Sequence, residues 1–125
     1  MIRTRGFRIR FSCAHFYRQE KWNDQKNRDT FGLCFTEHGH GHDYVLWVEL
    51  NEASLPPSEM LQAGLEALRK ILDHQHLNHV IPEFKHQVPT TENLALYCER
   101  FLSQQWQQKP LKLTLFETPD LGAAT

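Results

Sequence analysis

The sequence predicts an α+β fold, with two strands, then two helices, then a third strand. Three observations carry this. Residues 6–16 and 40–51 alternate apolar and polar side chains with a period of two, the strand period. Residues 58–72 and the segment following Pro89 repeat apolar residues at helical spacing instead. Residues 111–118 return to alternation.

Each element has its own reasons. In "GFRIRFSCAHF" Phe7, Ile9, Phe11 and Cys13 point one way, Arg8, Arg10, Ser12 and Ala14 the other, and His15 ends the strand in phase with the apolar side. Residues 17–33 are polar and aperiodic and are read as a long loop, a kind of segment more often functional than idle in a compact domain. In the second strand Tyr44, Leu46, Val48 and Leu50 share one face, and Val45 and Trp47 make the other partly apolar. The first helix starts at the prolines or Ser58 and carries Leu61, Leu65, Leu68 and Leu72. Residues 73–89 form a second irregular connection. "PTTENLALYCERFLSQQW" opens with a threonine cap and places Leu94, Cys98 and Phe101 on one face. The last strand alternates Leu111, Leu113 and Leu115, and the tail "PDLGAAT" is weak, with at most a short further strand.

Composition narrows the class of molecule. A chain of 125 residues fits one domain, 1–125, with 40% apolar residues and therefore a modest core. Fourteen basic against fifteen acidic residues leave a net charge of −1, with no basic excess to point to nucleic acid. No apolar run is long enough to span a membrane, and the N-terminus lacks the apolar block of a secretory signal. Cys13, Cys34 and Cys98 are odd in number and unpaired in spacing, which suits a reducing cytoplasm. So few strands leave open sheet edges, and subunits that join those edges into a barrel are one solution.

The chemistry concentrates in "CFTEHGHGH", residues 34–42. In an extended segment His38, His40 and His42 project to one face, and His15 can approach from the neighbouring strand. Three histidines with an open fourth position form the catalytic type of zinc site. Gly39 and Gly41 permit close approach on the opposite face. His76, His79 and His86 have no such spacing and are read as surface groups, and Tyr97 and Trp106 as packing or interface residues.

The ordered set "FSCAHF", "FGLC", "HGHDY", "LDH", "PTTEN" and "FET" resembles the 6-pyruvoyl-tetrahydropterin synthase family, which includes the bacterial 6-carboxytetrahydropterin synthases. The resemblance spans about residues 6–118. It implies the tunnelling fold, an antiparallel sheet with two helices on one face. Three sheets join into a barrel, and two trimers form a hexamer with sites between subunits. It further implies a Zn2+ ion held by His15, His40 and His42, the register in which "DY" follows the motif. By the same resemblance Cys34 is a base on the substrate side chain, with Asp73 and His74 as its proton-relay partners, and Glu117 holds the pterin ring. Thr91 and Glu92 line the pterin pocket, while also reading as helix-cap residues.

The implied reaction is a zinc-dependent lyase step on 7,8-dihydroneopterin triphosphate. The spacing C-x-x-E-x-x-H-G-H resembles a bacterial branch that keeps both a cysteine and a glutamate. That adds Glu37 as a second base and 6-hydroxymethyl-7,8-dihydropterin as a second product beside 6-pyruvoyltetrahydropterin. The alternatives are a 6-carboxytetrahydropterin synthase of 7-deazaguanine synthesis and a non-catalytic zinc- or pterin-binding oligomer.

Overall fold

Alternation along the first two runs produces a long antiparallel pair. Strand β1 (Thr4–His15) pairs with β2 (His40–Asn51) without a break, from Thr4 opposite Asn51 to His15 opposite His40. The computed structural model describes residues 1–32, 35 and 40–125, His40 by its backbone alone. Phe11, Cys13, Tyr44, Leu46, Val48 and Leu50 are buried on one face, as the period of two requires.

Two amphipathic helices cover that face. Helix α2 (Ser58–Leu72) buries Leu61, Leu65, Leu68 and Leu72, and α4 (Thr91–Trp106) buries Leu94, Ala95, Cys98, Leu102 and Trp106. Helix α4 is capped by the Thr90 side chain, which accepts from the Asn93 N–H, and it ends at Gln107 in the left-handed region. The helices meet where Gly64 faces Trp106, and a Cβ at 64 would lie 2.5 Å from the indole Nε1.

Strand β4 (Lys112–Thr118) pairs antiparallel with β2 and buries Leu113 and Leu115, while Leu111 stays outside the strand and is 49% exposed. The tail does form a strand, β5 (Leu121–Ala124), paired with β4. Following α2, Gln75–His76 (β3) joins the other edge of the sheet in parallel with Cys13 and Ala14. The order is β3-β1-β2-β4-β5. The sheet is therefore mixed rather than wholly antiparallel, because the chain leaves α2 along the direction of β1.

The two polar connections depart from expectation. Residues 17–33 are not irregular throughout: they contain helix α1 (Asp24–Phe31), whose N-cap Asn23 accepts from the Lys26 N–H. Buried Asn27 organises the segment. Its Oδ1 accepts the Gln19 N–H at 2.6 Å, and its Nδ2 donates to the carbonyls of Gln19, Trp22 and Asn23. Beyond α2, a short helix α3 (Leu77–Val80) carries Asn78. The Asn78 side chain accepts the Phe16 N–H at 2.6 Å and donates to the Phe16 and Phe84 carbonyls. Between β2 and α2 the chain makes a single 3-10 turn, Glu52–Ser54. Among the described residues no helix is long and apolar enough to cross a membrane.

Candidate metal and ligand site

The end of the β1–β2 ladder meets the end of β4, and three chemically competent side chains converge there. One nitrogen each of His15 and His42 and one carboxylate oxygen of Glu117 lie within 4.8 Å of one another. His15 is fully buried, and its ring centroid is 5.1 Å from that of His42 and 4.5 Å from that of Tyr17. The Tyr44 hydroxyl lies 3.0 Å from His15 Nδ1. His42 Nε2 is 2.9 Å from Glu117 Oε1. The second carboxylate oxygen of Glu117 accepts the Thr91 hydroxyl at 3.0 Å.

Imidazole nitrogens and a carboxylate at this spacing are a donor set that zinc accepts. A metal ion would take neutral imidazoles and an ionised carboxylate, so its uptake would be coupled to ligand deprotonation.

The expected metal ligands are thus partly brought together. His15 and His42 are in the cluster. The backbone of His40 pairs opposite His15 at the end of the ladder, and its side chain lies outside the described residues. Cys34, Glu37 and the alternative ligand His38 also lie outside the described residues. Glu117 and Thr91 are hydrogen-bonded to each other. Glu92 is exposed on the first turn of α4 and is not in the cluster. Sequence reading missed the nearness of Glu117 to His42 and the contact of Tyr44 with His15. The phase of Tyr44 with His42 on one strand face was the available signal for the latter.

Asp73 and His74 occupy a separate structure at the end of α2. Asp73 Oδ1 accepts the Ser12 N–H at 2.9 Å, and Oδ2 is 3.4 Å from Arg69 Nη2 and 3.6 Å from His74 Nε2. The Ser12 hydrogen bond, then the positive charges of His74 and Arg69, hold the Asp73 carboxyl below its ordinary range. His74 adopts φ 60°, which aims an 82% exposed side chain outward while its N–H donates to the Ser12 carbonyl. An open cleft of about 500 Å3 is lined by Ser12, Gly41, His42, Asp43, His74 and His76. His76 is half-buried rather than a plain surface group, and its ring centroid is 4.3 Å from that of His79. Trp106 is buried, in keeping with a packing role, and Tyr97 stacks with Phe101. Burial pushes the Cys13 thiol up to about 12, and burial raises Cys98 as well.

Residues 6–125 match the sequence profile described as 6-pyruvoyl tetrahydropterin synthase. The chain belongs to this family. It is 37% identical to a putative 6-pyruvoyl tetrahydrobiopterin synthase of Caenorhabditis elegans, over 87% of this chain and 84% of that one. It is 36% identical to the 6-pyruvoyl tetrahydrobiopterin synthase of Homo sapiens, over 72% of this chain and 67% of the human one. The solved structure of the Caenorhabditis elegans 6-pyruvoyl tetrahydropterin synthase superposes with a TM-score of 0.91 at 30% identity, covering 100% of this chain and 95% of that one. The fold is therefore the tunnelling fold that the motifs imply.

Proposed function

We propose that the chain, as one domain over residues 1–125, is a zinc-dependent lyase acting on 7,8-dihydroneopterin triphosphate. Its products would be 6-pyruvoyltetrahydropterin, 6-hydroxymethyl-7,8-dihydropterin, or both. The observation that carries this reading is the convergence of His15, His42 and Glu117, with Thr91 bonded to the same carboxylate. Two of the proposed zinc ligands thus meet the proposed ring-binding carboxylate, an arrangement suited to a substrate with a pterin ring and a hydroxylated side chain.

His15, His40 and His42 would hold zinc. When bound, the ion polarises the side-chain oxygens of the substrate and acidifies them and the adjacent C–H groups. Glu117 accepts two N–H bonds from the 2-amino-4-oxo edge of the ring, and Thr91 fixes the carboxylate plane for that pairing. Cys34 and Glu37 are the proton acceptors. Removal of a proton from carbon, followed by loss of triphosphate, leads toward the pyruvoyl product. Removal of a hydroxyl proton leads to a retro-aldol cut and the hydroxymethyl product. Asp73, held ionised, orients His74 as the relay.

The outward aim of His74 supports a site completed between subunits, in a hexamer of two trimers. The edge strands β3 and β5 are two and four residues long, and they are where sheets of neighbouring subunits would join. Three cysteines, an odd number without paired spacing, suit the cytoplasm.

The test is incubation of the zinc-loaded protein with 7,8-dihydroneopterin triphosphate and identification of products by mass. Either named pterin supports the reading. 6-Carboxytetrahydropterin as the sole product would move the protein to the 7-deazaguanine branch, and no turnover would leave a binding protein.

A further inference from the structure

Tyr44 has no part in the chemistry described above, yet it is placed as though it had one. It is 1% exposed, and its ring stacks on Phe11 at 5.3 Å and 15°. Its hydroxyl reaches across the sheet to His15 Nδ1 at 3.0 Å. His15 is itself fully buried, and Tyr17 stacks on its ring at 30°. A neutral imidazole carries one proton, and the nitrogen without it is the one that can ligate. Where the proton sits is decided by the hydrogen bond made by the other nitrogen. In a site shielded from water, a neighbouring protein group must supply that bond.

We propose that Tyr44 is the positioning residue of the metal centre. Its oxygen accepts the Nδ1–H of His15, which leaves the Nε2 lone pair for the ion and fixes the ring plane. This rests on the reading of His15 as a zinc ligand. Without the hydroxyl, the acceptor that Tyr44 offers to Nδ1–H is lost. The tautomer with the proton on Nε2 would then gain, and that proton competes with the ion. Outer partners of this kind set metal affinity by about 10–100-fold.

Tyr44→Phe removes one oxygen and keeps the stacked ring. Full-length wild type, Tyr44→Phe and His42→Ala are compared by zinc competition against a chromophoric chelator, and by the visible spectrum after cobalt(II) loading. The expected result is zinc binding about 10–100-fold weaker in Tyr44→Phe, with a changed cobalt spectrum. Equal zinc affinity and an unchanged cobalt spectrum in a wild type and variant that both bind would overturn the role of Tyr44. Wild-type protein that binds zinc no better than His42→Ala would instead sink the metal reading itself. Imidazole nitrogen NMR of zinc-loaded wild type gives a check independent of the variant. Nδ1 of His15 should carry the proton, and a proton on Nε2 contradicts the proposal.

Discussion

The hydroxyl of Thr91, on the first turn of α4, donates to Glu117 Oε2, near the end of β4, at 3.0 Å. The bond ties a helix start to a strand end and holds one carboxylate in one plane. A hydrogen bond to a charged group is worth about 1.5–3 kcal/mol. Thr91→Val keeps the shape and loses the bond, so KM for the pterin substrate should rise about tenfold or more. Thr91→Ser should stay near wild type. Glu117→Gln should lose more than Thr91→Val, because it removes both the charge and one acceptor. Steady-state kinetics on the four proteins check this. An unchanged KM in Glu117→Gln would place the ring elsewhere.

Asp73 makes stability depend on pH in a particular direction. Its folded-state pKa is lowered, chiefly by the Ser12 N–H and then by the charges of His74 and Arg69. A lowered carboxyl contributes stability that is fully present above its unfolded value of about 3.9 and is lost as pH falls through the folded value. Asp73→Asn should therefore be less stable than wild type at neutral pH. The gap should close in acid, below about pH 4. Denaturant unfolding at several pH values measures it, and a gap that persists unchanged at low pH would assign the loss to packing.

If Cys34 and Glu37 are the bases of the proposed reaction, they should divide the products. A general base contributes about 10²–10⁴-fold, enough to change a product ratio plainly. Glu37→Ala should diminish 6-hydroxymethyl-7,8-dihydropterin, and Cys34→Ala should diminish 6-pyruvoyltetrahydropterin. Chromatographic separation of the pterins from one substrate decides it. Undiminished hydroxymethyl product in Glu37→Ala makes that residue a loop carboxylate only.

Two of the thiols should also be protected in the folded protein. Cys13 and Cys98 are buried, with raised pKa values, so neither offers thiolate at neutral pH. A thiol reagent should spare Cys13 and Cys98 in the folded protein and modify both in denaturant. Mass spectrometry of the labelled peptides checks this, and early labelling of Cys98 would contradict the packing of α4.

Gly64 tests the contact between the helices. Alanine is favoured over glycine in a helix interior by about 1 kcal/mol. Here the added methyl would stand 2.5 Å from the Trp106 indole, a side chain 3% exposed and flanked by the core. Overpacking typically costs about 1–3 kcal/mol, so Gly64→Ala should be net destabilising. A rise in Tm would show that the indole can move aside.

Much of this architecture was legible because burial imposes a period. The second strand and the first long helix run over 40–51 and 58–72, as alternation and leucine spacing predict. Helix α1 was not legible, since it is held by the caps and carbonyl bonds of Asn23 and Asn27 rather than by an apolar stripe. Strand β5 has small side chains after an exposed Leu121 and pairs with β4 through its backbone. The pairing of β3 with β1 depends on where α2 ends in space, which no local pattern encodes. In the site, alternation along β1 and β2 brought out His15 and His42, and family motifs brought out Thr91 and Glu117. The contact of Tyr44 with His15 skips along the ladder, where Tyr44 pairs with Phe11, and so escapes any reading by direct partners.

The site joins a ladder made early in the chain, β1 with β2, to a strand made late, β4. A nascent chain that has emerged through β2 already holds both histidines, and it can pair those strands before α2 or α4 exists. Glu117 enters only when the far end of the chain crosses back to β2. Contacts between segments so distant along the chain are entropically slow to close. The cluster of His15, His42 and Glu117 is therefore complete only once the chain has been made through the end of β4.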